Sequence, residues 1–392
     1  MQQYHWAARA RDIEPFHVMA VLARARMLEA QGHDVIHMEI GEPDFTTPDP
    51  IVRAGQAALA NGHTGYTPAL GLPALREAIA SWYDKQYGVS VDPRRVVVTP
   101  GGSAALLLVS ALLVDPGRRV LMADPGYPCN RHFLRLVEGA AELVATGPES
   151  GYQLTADMIE QHWTPECVGV LAASPANPTG TLLSREQLAQ LAGVTRRLGG
   201  HLIVDEIYHG LTYDCQAASV LEVAPDAFVL NSFSKYFGMT GWRLGWLIAP
   251  ETAIPDLERL AQNLYICAPH MAQQAALAAF GSATLDICEQ RREAFALRRN
   301  FLLPSLRDLG FEIPVTPQGA FYLYAGTSRL GGDSAELCRH LIETRHVAVT
   351  PGLDFGRHLA DRHVRFAYTT SLDKLERGVD RLRSGLEAWR GC

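Results

Sequence analysis

Several things that a 392-residue chain could carry are missing from this one. The longest apolar run, AALLLVSALLV at 104–114, is far short of the roughly 20 residues that a membrane-spanning helix needs. The opening stretch MQQYHWAARARDIEPF contains no apolar core, so no secretory signal is expected. Seven cysteines are scattered; the number is odd and no CxxC occurs, which argues against both a disulfide framework and a zinc ribbon. No GxG appears anywhere, so the dinucleotide fingerprint is absent, and no GK[ST] follows the one glycine-rich turn that could resemble a Walker loop. There is no HExxH, and the 14 histidines form no ligand spacing, so no metal site is expected. A net charge of −7 advertises no surface for nucleic acid. A soluble cytoplasmic protein without membrane or nucleic-acid partners is the expectation.

What the chain does have is ample material for a large core: 47% hydrophobic residues against 20% charged ones. Between about residues 50 and 285, helical stretches such as LPALREAIASWYDKQYG and SREQLAQLAGVTRRLG alternate with short apolar runs. Those runs are RVVVTP, RVLMAD, CVGVLAAS, HLIVDE, AFVLNSF and GWLIAP. Compact β-branched runs between helices predict an α/β fold: a large domain with a mostly parallel sheet flanked by helices. After about residue 285 a long charged helix leads to GAFYLYA, VAVTPG and VRFAYT, which predict a smaller α+β domain. The expected division is 46–285 for the large domain and 1–45 with 286–392 for the small one.

In open α/β sheets ligands gather at the carboxyl ends of the strands, and several strands here end in polar residues. VVVTPGGSAALLL runs from strand through a glycine turn into a helix, so Gly101, Gly102 and Ser103 fall where unpaired helix N–H groups suit a phosphate. HLIVDEIYHG ends a strand in Asp205 and Glu206, with Tyr208 close behind; Asp205 taken alone reads more readily as a cap of the next turn. AASPANPTG holds Asn177 in a proline-stiffened turn, which alone is also a plain connection. VRFAYT carries Arg365 inside an alternating strand, suited to gripping a carboxylate or to a structural ion pair. NSFSKYFGMTGWRLGW places Lys235 and Arg243 in a half-buried stretch, where a cation is costly unless something anionic or reactive receives it. A phosphorylated aromatic aldehyde would account for all of these together: a phosphate cup, an amine to condense with it, and an acid to face its ring nitrogen. Pyridoxal phosphate has that chemistry.

The ordered set SPANPTG, DEIY, SFSKYFGMTGWRLGW and VRF resembles the class I/II aminotransferases of the aspartate aminotransferase fold, fold type I. GEPDF, GYTPALGLPALREAIA, TPGGSAAL, DPGYP and QGAFYLY extend the likeness from about residue 15 to near the C-terminus. The resemblance implies roles for the matching positions. Lys235 would bind pyridoxal 5′-phosphate as an imine and then shuttle a proton, and Asp205 would pair with the ring nitrogen. Tyr208 and Asn177 would bond its phenolic oxygen, and Tyr127 would stack on the ring. Gly102, Ser103, Ser232 and Arg243 would hold the phosphate, with Ser234 as a further donor. Tyr66 would reach the phosphate of a partner subunit, which implies a homodimer with shared sites. Arg365 would clamp the substrate α-carboxylate with the Gly41 backbone and Asn177.

The implied reaction moves an amino group from an L-amino acid to a 2-oxo acid in ping-pong order. A carbon–sulfur β-lyase on the same cofactor remains an alternative, because the core residues serve carbanion chemistry in general. A gene-regulatory sensor is disfavoured, since only about forty residues precede the core and no basic patch accompanies them. Recognition of a dicarboxylate would need a second cation. Arg24, Arg26, Arg291 and Arg292 each read better as solvated helix positions, so a neutral amino acid is favoured, with 2-oxoglutarate or pyruvate as acceptor.

Overall fold

A computed structural model describes residues 5–390. After a two-residue strand β1 (Ile36–His37), the chain forms β2 (Val96–Thr99), β3 (Arg119–Asp124), β4 (Ala140–Ala145), β5 (Cys167–Ala173), β6 (His201–Asp205), β7 (Phe228–Ser232) and β8 (Gly245–Ile248). Strands β2 to β8 make one sheet in the order β2-β8-β7-β6-β5-β3-β4. The contacts from β4 across to β7 are all parallel, and β8 runs antiparallel to both β7 and β2.

Helices cover both faces, which is why these strands read as nearly continuous apolar runs. Successive side chains of one strand enter different cores. Val96 and Val98 join one apolar cluster while Val97 joins the other, and Leu202 and Val204 are likewise separated from Ile203. Helix Gly102–Leu113 buries Ala105, Leu108 and Val109 in the second cluster. Helix Arg185–Arg197 buries Leu188 and Leu191 in the first, and it starts with a reciprocal capping box between Ser184 and Gln187. Helix Pro73–Tyr87 stops where Gly88 turns left-handed at φ 66°. The six apolar runs recognised in the sequence are β2, β3, β5, β6, β7 and β8. The seventh strand, β4, went unrecognised. Its residues AAELVA lie at the sheet edge and are mostly not buried, so neither a β-branched run nor a clean alternation marks them.

The C-terminal part adds β9 (Tyr322–Gly326), β10 (Val347–Ala348), β11 (Thr350–Pro351) and β12 (His363–Ala367). β11, β12 and β9 form a three-stranded antiparallel sheet, and β10 pairs in parallel with β1. Helix His17–Ala30 packs here through Ala25 and Leu28, against Val35, Ile342 and Ala348. The expected boundary after residue 285 falls inside helix Ser282–Asp308. Among the described residues no helix is long and apolar enough to cross a membrane.

Candidate active site

A cavity of about 370 Å³ opens at the carboxyl ends of the large sheet's strands, where the small sheet meets it. Asp205 is the last residue of β6 and Ser232 the last of β7, and Lys235 follows in the next turn. Arg243 precedes β8, and Gly102 and Ser103 open the helix that follows β2. Arg365 lies in the middle of β12 and reaches the same cavity from the small sheet.

The half-buried amine of Lys235 donates to the Gly41 carbonyl at 2.8 Å. Its pKa falls from 10.5 to about 8, chiefly because its surroundings solvate a charge poorly. Glu42 opposes that fall, while Arg365 and Arg243 add to it. Asp205 is buried, and one of its oxygens accepts the Ile207 N–H at 3.0 Å. Burial pushes this carboxyl up to about 6, against the pull of the Ile207 bond and of Lys235. An acid and an amine whose ordinary values have moved toward neutrality inside one cleft mark a candidate functional site.

Aromatic groups shape the walls. The hydroxyls of Tyr208 and Tyr322 share a hydrogen bond of 2.8 Å; burial raises Tyr208 well above the usual phenol range and raises Tyr322 against the pull of Arg365. Gly41 runs so close to the Tyr322 hydroxyl that a methyl group there would collide with it. Tyr127 also lines the cavity, edge-on to Phe16 at 6.4 Å.

Opposite Asp205 is a cradle for an anion. Gly101, at φ 83°, caps the helix that begins at Gly102, and a Cβ on it would sit 2.7 Å from the Arg243 guanidinium. Arg243 itself adopts φ 53° and donates to the Thr240 carbonyl at 3.0 Å. Among the described residues no carboxylate lies within ion-pair distance of it. The Ser232 hydroxyl sits 2.9 Å from that of Ser234 and 3.0 Å from the Leu244 carbonyl, at the same end of the cavity. Helix N–H groups, hydroxyls and an unpaired guanidinium together suit a phosphate.

A second guanidinium also lacks an anion. Arg365 is 2% exposed, donates to the Asn177 side-chain oxygen at 2.9 Å and to the Glu39 carbonyl, and stacks over Tyr322 and Phe355 at 4.3 and 4.7 Å. Its Nε has no partner, and no carboxylate pairs with it among the described residues. A buried cation left this way is costly unless a ligand supplies the charge, and a planar monocarboxylate fits its fork.

Comparison with known proteins decides the family. The family model for aminotransferase class I and II matches residues 33–382. The valine–pyruvate aminotransferase of Mycobacterium tuberculosis is 37% identical over 376 residues, 95% of this chain and 97% of that one. The aspartate/prephenate aminotransferase of Thermus thermophilus is 35% identical over 376 residues, 95% and 96% of the two chains. The crystal structure of aspartate aminotransferase from Thermus thermophilus with maleate superposes with a TM-score of 0.93 at 34% identity, covering 98% of this chain and 100% of that one. The chain belongs to the class I and II aminotransferase family.

It is therefore an aminotransferase of the fold type I architecture, and its reaction is amino-group transfer between small amino and oxo acids. The carbon–sulfur lyase alternative is not favoured by these relatives. Every residue given a role by the family resemblance lines the cavity of this aminotransferase except Tyr66, which is 81% exposed on the surface; of the other strand-end residues singled out, Gly101 and Glu206 do not line it, and Glu206 is buried against Ser219 and Val220 instead. None of the four arginines considered for a second carboxylate reaches the cavity. Arg24 is bound to Glu343 and Arg292 to Glu289, Arg291 stacks over Phe45, and Arg26 is exposed.

Sequence reasoning missed the apolar mouth, formed by Phe16, Val18, Met19 and Ile40, and the carboxylate Glu42 beside it. It also missed two buried acids that fasten nearby backbone, the second of them at the mouth. Asp124 accepts the N–H groups of Arg357 and His358, and Asp354 accepts those of His17 and Val18. Asp124 was visible within DPGYP; nothing in the local sequence marks Asp354.

Proposed function

We propose that the cavity holds pyridoxal 5′-phosphate and that the chain transfers the amino group of an L-amino acid to a 2-oxo acid in ping-pong order. The observation that carries this reading is the Lys235 amine, brought to about 8 in the same cavity as the buried Asp205. The two anion-less guanidiniums support it: one suits the cofactor's phosphate, the other the substrate's α-carboxylate. Lys235 would hold the cofactor covalently, Asp205 would face its ring nitrogen, and Tyr208 and Asn177 its phenolic oxygen. Tyr127 would lie against the ring. Gly102, Ser103, Ser232 and Arg243 would bind the phosphate, with Ser234 beside them.

When bound, the group supplies an electron-poor ring that stabilises the charge left when the substrate's Cα–H bond breaks. The free Lys235 amine would take that proton, a role that a pKa near neutrality suits. Arg365 would orient the substrate by two parallel bonds to its α-carboxylate, with Asn177 and the Gly41 backbone beside it. Asp205 would face the ring nitrogen as a carboxylate and would favour its protonated form.

The exposure of Tyr66 is in keeping with a role across a homodimer interface. Pairing of β1 with β10 supports grouping residues 1–45 with 286–392 as one unit beside 46–285. A cytoplasmic location completes the reading, and the described cysteines carry no disulfide.

Borohydride reduction of the protein incubated with the cofactor, followed by peptide mass analysis, tests this. The expected result is one adduct on the peptide containing Lys235, together with an oxo acid and a transferred amine as products. An adduct elsewhere, or ammonia and pyruvate as products, would refute it.

A further inference from the structure

We propose that Asp124 is a positioning residue for the reaction: it ties the stretch of chain on which the cofactor ring would lie to the clamp for the substrate's α-carboxylate. This rests on the cofactor reading above and extends it to what sets the spacing between ring and substrate.

The backbone and the side chain of Asp124 hold different things. Asp124 ends β3, pairs with Ala145 of β4, and its carbonyl accepts the Thr146 N–H at 2.9 Å. Three residues on, Tyr127 lines the cavity as the proposed ring wall. The carboxylate is buried and holds the loop that follows β11. Its Oδ2 accepts the Arg357 N–H at 2.9 Å and the His358 N–H at 3.1 Å. Gly356, just before them, passes so close to Oδ1 that a methyl group there would collide with it. The Gly126 N–H adds a bond to the Phe355 carbonyl at 2.8 Å.

Phe355 is what this fastening positions. It is buried, and its ring centre lies 4.7 Å from the guanidinium carbon of Arg365. The other ring on that guanidinium, Tyr322, belongs to β9 and is fixed by the pairing of β9 with β12. Phe355 lies outside any strand, so the bonds from Asp124 and Gly126 tie its loop to the large sheet. A fork that grips a carboxylate by two parallel bonds works at one tilt, and a small rotation of it would move the substrate's Cα relative to the ring. All of these contacts lie within one chain, so they hold whatever a partner subunit adds to the site.

Binding and kinetics on the cofactor-loaded protein test this, with propanoate as a probe that has the carboxylate but no amine. Asp124→Ala should weaken propanoate and raise KM for amino and oxo acids roughly tenfold, from the loss of two charge-assisted bonds, with kcat changing less than about threefold. The Lys235 adduct and its absorbance should stay as in the parent, because the end of β3 keeps its backbone bonds. Asp124→Asn, which keeps an acceptor at the Oδ2 position, should stay within about twofold of the parent. In a Phe355→Ala background, Asp124→Ala should add less than about twofold, since the two act in series. An unchanged KM in Asp124→Ala, or full additivity with Phe355→Ala, would overturn the proposal. So would a fall in kcat and cofactor retention that matches the rise in KM, which would mean a merely structural role. If Asp124→Ala does not fold, Gly356→Ala displaces the loop with the carboxylate in place. It should raise KM in the same way, and an unchanged KM there would overturn the proposal. Failure of the cofactor reading shows itself separately, as a missing Lys235 adduct in the parent before any acid is added.

Discussion

The guanidinium of Arg365, on β12, donates at 2.9 Å to the side-chain oxygen of Asn177, 188 positions earlier in the turn after β5. The bond joins the small sheet to the large one at the floor of the cavity. It also aims a buried charge that has no anion of its own.

Removing that charge should damage substrate binding above all. Arg365→Ala is expected to lower kcat/KM for amino and oxo acids roughly 10²–10³-fold, mostly through KM, since a desolvated charge-assisted pair is lost. Arg365→Lys should recover only part, because an ammonium cannot make two parallel bonds. Steady-state kinetics with both variants checks this; an unchanged KM would move the carboxylate clamp elsewhere.

The Lys235 amine should react as a group that titrates near 8. Only its neutral form is nucleophilic, so in cofactor-free protein the rate of recombination with pyridoxal phosphate should rise with pH and level off above about 8, well below the ordinary lysine value. Stopped-flow absorbance across pH 6–10 measures it. Lys235→Ala should show neither the absorbance change nor turnover.

Asp205 carries a cost that the proposed cofactor would relieve. Its folded pKa of about 6 lies above the ordinary 3.8, so the folded state binds its proton more tightly than the unfolded one. Its contribution to stability is full below about 3.8 and is lost as pH rises through 6, a swing of about 3 kcal/mol. Cofactor-free Asp205→Asn should therefore melt higher than the parent at pH 7.5, and the gap should close by pH 4. The same variant should retain the cofactor less well. Calorimetric melting of both proteins decides it: a variant that melts lower at pH 7.5 would contradict the burial argument.

His37 should behave in the histidine sense. It bonds Glu39 at 2.7 Å and Glu29 at 3.1 Å, and these partners, Glu39 first, raise it from 6.5 to about 9. The stabilisation is complete below about 6.5 and disappears as pH climbs through 9. His37→Gln should melt below the parent at pH 6, with the difference shrinking to nothing by about pH 10. A difference independent of pH would show that the pair is not charged.

Much of this was open to reading in the primary structure. Six of the large sheet's strands stood out because burial on both faces demands unbroken apolar runs, whereas the edge strand β4 carries Glu142 and alanines and gave no such pattern. Lys235, Asp205, Asn177, Arg243 and Arg365 were identified because each sits in a short motif at a strand end or within a strand. Phe16, Val18, Met19 and Asp354 were not, because nothing local distinguishes them from an ordinary amphipathic start of a helix and an ordinary turn.

The sequence by itself determined the class of fold, the order of the motifs and the kind of chemistry, since these follow from residue identity over short spacings and from the period of apolar residues. Only the tertiary structure decided which cations face no anion, how far burial moves Lys235 and Asp205, and which buried acid fastens the mouth of the site. Those properties depend on solvent exclusion and on contacts between residues up to hundreds of positions apart, and no local pattern encodes either.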